Sequence, residues 1–370
     1  MSIDPIVLIR ERAASLYRSI TFITTYQCTA ACRECCFESS PTLDSGKLTF
    51  EFMKGVMDEA IVALPNLRLV VFSGGECFML KEQLFKAIEY ATGRSLRTRC
   101  VTNGYWGKTP AAAARNARRL REAGIGEINI STGLEHQEWV PFQSVVNCAQ
   151  ALAAEGIFTL VTVEKDTEES GCWNAAVEHP VVAALLESKP PKLKLMCNSW
   201  MPFHADAQPR KEQRSQGSDK GCDQLFSNLV ITPYKMVSAC CGLTYEHIPE
   251  MRLGSVGSKP LDAFVTDVAD DFLKIWIHMD GPKEVVRKVT GRSSNELMDA
   301  TVHICQACAV LHQNAEFRKL LRERYHEFVP EVIGRFLLRT TMFQMQMQRQ
   351  MAANPSRVAA EGAEDLAAIA

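Results

Sequence analysis

The sequence lacks the features that would direct it to nucleic acid or to a membrane. Its 41 Lys and Arg residues against 43 Asp and Glu leave a formal charge of −2, which provides no basic footprint for DNA or RNA. No uninterrupted apolar stretch approaches the ~20 residues that cross a bilayer. The opening Met1-Ser2-Ile3-Asp4-Pro5 is without the basic-then-apolar order of a secretion signal, so a cytoplasmic setting is expected. In that reducing setting the 14 cysteines point to metal ligation and away from disulfides. With 46% apolar and 23% charged residues, the chain reads as a globular protein of one large domain plus a smaller one.

Cys28, Cys32 and Cys35 stand in the order C-x3-C-x2-C just after a strand-like run, Ile20-Thr21-Phe22-Ile23-Thr24. Structural zinc sites and fully ligated cubane clusters use four protein ligands. A compact set of three therefore implies a metal centre with one position left for a small molecule. The alternative at this point is a zinc site completed by Cys36 or by a distant histidine.

From Ile20 to Asn198, β-branched runs alternate with stretches of helical period. Strands are expected at Ile20 to Thr24, Arg68 to Ser73, Arg97 to Thr102, Glu127 to Ser131, Phe158 to Val163 and Lys192 to Cys197. Helices are expected at Thr49 to Leu64, Lys81 to Thr92, Pro110 to Ala123, Pro141 to Glu155 and His179 to Glu187. Such alternation demands parallel strands with right-handed crossovers. Because the chemistry-bearing residues follow the C-terminal ends of successive strands, a partial (β/α)6 TIM-like barrel is favoured over a doubly wound sheet. The expected organisation is an N-terminal extension (1–18), the barrel (19–200), a polar linker (201–220), a smaller cysteine-bearing domain (221–312), C-terminal helices (313–351) and a frayed Ala-rich tail (352–370).

The second expected strand runs into Ser73-Gly74-Gly75-Glu76, the third into Asn103-Gly104 and the fourth into Ser131-Thr132. Paired glycines allow close approach of a ligand, and the carboxylate can accept hydrogen bonds from an ammonium group. With the cysteine triplet, these residues resemble the radical S-adenosylmethionine (SAM) superfamily from Phe22 to Asn198. The resemblance implies that Cys28, Cys32 and Cys35 ligate three irons of a [4Fe–4S] cluster whose open fourth iron binds SAM. It further implies that Gly74, Gly75 and Glu76 receive the SAM amino group, and that Asn103 and Ser131 contact its methionine or ribose portions. Reductive cleavage of SAM would then yield a 5′-deoxyadenosyl radical that abstracts hydrogen from substrate. The chain departs from the family pattern at Glu34, where an aromatic residue is usual, and at Gly133, where many relatives are acidic; Glu135-His136 lie nearby.

The smaller domain holds Cys222, Cys240-Cys241 and the pair Cys305-Gln306-Ala307-Cys308. Four cysteines can close around an iron–sulfur cluster or zinc. The pattern resembles the auxiliary-cluster domains called twitch, relatives of SPASM domains, which implies Cys222, Cys240, Cys305 and Cys308 as ligands of an auxiliary cluster, with Cys241 the alternative to Cys240. Cys100, Cys148 and Cys197 read as small buried hydrophobes. Cys77 and Cys172 are candidate hydrogen donors to a substrate radical.

By resemblance, the function is modification of a ribosomally made precursor peptide, by crosslinking, epimerisation or backbone excision. A separate peptide-recognition protein is expected, because the first strand begins within about twenty residues, together with an electron donor such as flavodoxin or ferredoxin. The alternatives are a radical SAM enzyme acting on a small molecule, by alcohol oxidation or nucleotide cyclisation, and a non-catalytic iron–sulfur or zinc scaffold.

Overall fold

The computed structural model describes residues 4–164, 171–189, 191–198, 203, 220–298 and 301–353. The expected linker lies outside the described residues apart from Phe203 and Lys220. Of the expected tail, Ala352 and Ala353 are described and end the last helix, Val329–Ala353.

Six parallel strands, β1 (Ser19–Ile23), β2 (Leu69–Ser73), β3 (Arg97–Thr102), β4 (Glu127–Gly133), β5 (Phe158–Glu164) and β6 (Leu193–Asn198), lie side by side in chain order. Helices Phe50–Ala63, Glu82–Gly93, Pro110–Ala123, Phe142–Ala154 and Pro180–Leu186 separate them. This is the expected partial (β/α)6 barrel, an open sheet whose strand order does not close on itself. Local chemistry sets the helix ends. Thr49 caps the first crossover helix by accepting the Phe52 N–H. Thr109 does the same for Pro110–Ala123, which stops at Gly124 in the left-handed conformation, φ +81°. An additional helix, Cys172–Glu178, lies where no periodicity had indicated one.

The sheet continues past the barrel. β7 (Asn228–Ile231) pairs in parallel with β1, and β8 (Met236–Ser238) and β9 (Arg252–Ser255) follow antiparallel, giving nine strands in the order β6-β5-β4-β3-β2-β1-β7-β8-β9. The boundary expected at residue 221 thus precedes a strand that seals the edge of β1, and Leu229, Val230 and Ile231 are fully buried there. Unpaired, that edge would leave a row of open N–H and C=O groups. Among the described residues, the remaining C-terminal chain is mainly helical. Its core holds Phe264, Trp276 and Phe336, all without exposure. The N-terminal extension contains a helix, Pro5–Ala14, whose Arg10 makes a two-point ion pair with Asp270 at 2.7 and 2.6 Å.

Cys100 and Cys148 are buried as expected, whereas Cys197 is exposed. It lies on β6, the strand at the end of the sheet, where only Leu193 is buried in full.

Candidate metal centre and its ligand rim

Beyond β1, the chain from Thr24 to Gln27 runs beside the turn that follows β2. Thr24 N–H donates to Ser73 O at 2.8 Å, Gly75 N–H to Thr25 O at 2.7 Å and Glu76 N–H to Gln27 O at 3.0 Å. This extension of the ladder requires glycine twice. A Cβ on Gly74, whose φ is +133°, would lie 2.4 Å from Thr25 O, and one on Gly75 would lie 2.3 Å from Gln27 O. The paired glycines thus allow a close approach to the protein's own backbone. It fixes the point at which the cysteine loop departs.

That loop closes on itself. Cys28 N–H donates to Ser40 O at 3.1 Å, Cys35 N–H to Cys32 O at 3.2 Å and Glu38 N–H to Cys35 O at 2.9 Å. The three thiols are free, and Cys32 feels the charge of both Cys28 and Cys35. Burial pushes the Cys28 thiol up to about 11 and raises that of Cys32, so a metal must displace their protons as it binds. Cys36 responds to Cys35 among the three and neighbours Tyr26. Among the described residues no three His, Cys, Asp or Glu side chains are gathered around one point as a single ion would need. Three soft sulfur donors in one loop fit an iron–sulfur cluster, which takes each thiolate on a different iron.

Glu76 is fully buried. Its carboxylate accepts the Asn103 N–H at 2.9 Å, the Phe78 N–H at 3.0 Å and the Thr102 hydroxyl at 2.9 Å. Burial nonetheless dominates and raises its pKa to about 7, with the two N–H groups pulling the other way. The sequence had offered this carboxylate to an ammonium group; in the structure it ties the ends of β2 and β3 together. Asn103, 6% exposed, reaches from β3 to the cysteine loop, with its amide nitrogen 3.5 Å from Cys28 Sγ and 3.0 Å from Thr29 Oγ1.

Ser131 sits within β4, half-buried and in register with Thr162 of β5. Sequence reasoning gave little weight to the residues just beyond it. Glu135 accepts the Glu34 N–H at 2.8 Å, bracing the cysteine loop against β4. His136 Nδ1 lies 2.9 Å from Glu164 Oε2 at the end of β5. The Glu135-His136 pair beside Gly133 was the available signal, but Glu164 becomes their neighbour only through the register Gly133 to Glu164.

Neither candidate hydrogen donor stands open at this rim. Cys77 has no exposure and its thiol donates to Val101 O at 3.2 Å; burial pushes it well above the ordinary thiol range. The short 3-10 turn after Glu76 rotates it into the core. Cys172 opens a helix and is 8% exposed, since its helix packs against β5.

The second cysteine group is assembled from three segments. Cys222 precedes β7, Cys240 and Cys241 follow β8, and Cys305 and Cys308 occupy the first turns of helix Ile304–Gln313, three residues apart on one face. Cys305 and Cys308 both feel Cys222 and Cys240. Cys241 Sγ lies 3.8 Å from Cys305 Sγ, while Cys240 Sγ has the Ser238 and Thr244 hydroxyls at 3.6 Å. The contact to Cys305 is thus made by Cys241, the alternative that the sequence offers to Cys240. A Cβ on Gly242 would come within 2.9 Å of Val230 and 3.5 Å of Ile23, which sets this turn against β1 itself.

Comparison with known proteins bears on the first cysteine group and the barrel around it. Residues 22–136 match the family described as the radical SAM superfamily. YydG of Bacillus subtilis, whose name assigns it to peptide biosynthesis, is 24% identical over 121 residues, 33% of this chain and 37% of its own. An AdoMet-dependent heme synthase of Oleidesulfovibrio alaskensis is 30% identical over 123 residues, 33% of this chain and 29% of its own. The matched stretch thus spans about a third of each relative. Among solved structures, native anSMEcpe with bound AdoMet superposes with a TM-score of 0.52 at 12% identity, over 86% of this chain and 98% of that one. At that identity the likeness is one of fold. The family implies a [4Fe–4S] cluster and SAM. With three thiols on the loop after β1 of a (β/α)6 sheet and the family match across the same residues, the chain carries a radical SAM domain.

Proposed function

We propose that this protein uses SAM and a [4Fe–4S] cluster held by Cys28, Cys32 and Cys35 to abstract hydrogen from a peptide substrate and so install a post-translational modification. The observation that carries the radical reading is the three-thiol loop at the C-terminal end of β1, where parallel α/β folds place their sites. When bound, the cluster and SAM supply reductive C–S cleavage and a hydrogen-abstracting species. The chain supplies position. The ladder through Gly75 and Glu76 fixes the start of the cysteine loop, and the Glu135 contact to Glu34 N–H braces its middle. The Gly74-Gly75-Glu76 turn and Ser131 are assigned to SAM by resemblance, with the buried Glu76 carboxylate holding the turn in shape.

An auxiliary cluster on Cys222, Cys305, Cys308 and one or both of Cys240 and Cys241 belongs to the same proposal. Burial pushes the Cys222 thiol up to about 11 and raises that of Cys308, so here too binding must release protons. The peptide substrate is supported by the likeness to YydG. The heme synthase likeness, of similar extent, supports a second reading in which the substrate is a small molecule. A separate recognition protein and a flavodoxin- or ferredoxin-type donor remain part of the peptide reading.

The test is anaerobic reconstitution with iron, sulfide, SAM and dithionite, followed by mass spectrometry. The peptide reading expects 5′-deoxyadenosine formation that rises on adding a small peptide encoded beside the gene, together with a mass change in that peptide. Formation that is unmoved by such peptides but rises with a tetrapyrrole would favour the second reading.

A further inference from the structure

We infer that Asn103 is a positioning residue of the metal centre, whose side-chain N–H donates a hydrogen bond to the Cys28 sulfur and raises the reduction potential of the cluster bound there. The inference rests on the proposed three-thiolate cluster and reassigns a residue expected to contact SAM.

The orientation of the amide follows from its partners. Tyr105 N–H donates to Asn103 Oδ1 at 3.0 Å, so the oxygen faces the backbone and the nitrogen faces the cysteine loop. That nitrogen carries two hydrogens. One is directed to Thr29 Oγ1 at 3.0 Å and the other to Cys28 Sγ at 3.5 Å. No side-chain donor remains for a ligand. The backbone is held as well, because Asn103 N–H donates to the buried Glu76 carboxylate. Asn103 and Cys28 are 6% and 7% exposed, so water does not compete for the bond.

The three thiols are not equivalent in this respect. The Asn103 amide donates to the Cys28 sulfur and to Thr29 Oγ1, and so serves one of the three. Reduction adds an electron to the cluster and its sulfurs, and an N–H group aimed at sulfur stabilises that more negative state. Removing it should make the centre harder to reduce.

The experiment compares full-length wild type, Asn103→Ala and Asn103→Asp after anaerobic reconstitution. Iron and sulfide analysis comes first, then potentiometric titration followed by EPR of the signal that SAM perturbs. Asn103→Ala is expected to bind normal iron and to shift the one-electron reduction equilibrium about tenfold toward the oxidised form, ~59 mV. Asn103→Asp keeps the Tyr105 bond but offers no donor, and should shift at least as far. Asp also adds charge beside the sulfur, so the uncharged Ala variant decides, and a merely structural role predicts that it titrates with the wild type. The inference is overturned if Asn103→Ala loads iron and titrates with the wild type, or if both variants stay folded and load no iron at this centre. A wild type without a SAM-responsive cluster would sink the cluster reading itself, and the analysis made before titration tells that failure apart.

Discussion

The two cysteine groups are built in opposite ways. The first hangs on one loop, from Cys28 to Cys35, pinned at its root by a backbone ladder and at its side by Glu76, Asn103 and Glu135. The second draws Cys222, Cys240, Cys241, Cys305 and Cys308 from three segments brought together by a hairpin and a helix. A site on one loop can spare a ligand position without endangering the fold. A site that joins distant segments closes large loops, so its occupation should be felt as stability.

The sharpest way to break this comparison is to remove one thiol from each group. Cys32→Ala should abolish SAM cleavage, a loss beyond the ~100-fold that outer residues of metal sites produce, while thermal unfolding changes little. Cys308→Ala should lower the unfolding temperature more than Cys32→Ala does. Equal unfolding temperatures would remove the distinction.

Glu76 offers a pH test of the first group alone. Its folded pKa, about 7, is raised above the ordinary 4.5 by burial, so the folded state holds an extra proton between those values. Stability should therefore fall as pH rises from about 4.5 to 7, by up to roughly 3 kcal/mol. Urea unfolding across that window should show the decline in wild type and a flatter profile in Glu76→Gln.

Two glycines give matched tests of packing. A Cβ on Gly75 meets Gln27 O at 2.3 Å, and one on Gly221 meets His278 O at 2.1 Å. Each alanine substitution should cost about 1–3 kcal/mol. Iron content should drop at the first centre in Gly75→Ala and at the second in Gly221→Ala, as read from the EPR of each. The smallest effect expected separates the adjacent cysteines. Cys241→Ser should perturb the second centre more than Cys240→Ser, because Cys241 Sγ lies beside Cys305 Sγ while Cys240 Sγ is already met by two hydroxyls.

What the sequence disclosed follows the same division. Most of the six barrel strands were legible as short β-branched runs beside an amphipathic helix, β6, LKLMCN, by its place in the alternation, and the triplet because its spacing is local. β7 was not. Asn228 to Ile231 reads as any buried strand, and its partner β1 lies some two hundred residues earlier, as in the bond from Thr21 to Asn228. Paired glycines announced a close approach but could not say to what. Glu76 could be seen as a carboxylate by the rim, yet its direction depended on where the β3 end placed Thr102 and Asn103. Nothing in the spacing of Asn103 and Cys28 linked them; only the parallel order of β1, β2 and β3 does.

The central claim is an iron–sulfur centre held by three thiolates with one iron open to SAM. It is tested most directly by EPR of the dithionite-reduced protein before and after adding SAM, with a Cys28→Ala, Cys32→Ala, Cys35→Ala triple variant alongside. The account predicts a signal in the wild type whose g values change when SAM is added, and its complete loss in the triple variant. A spectrum that ignores SAM, or one that survives without those three thiols, would contradict it.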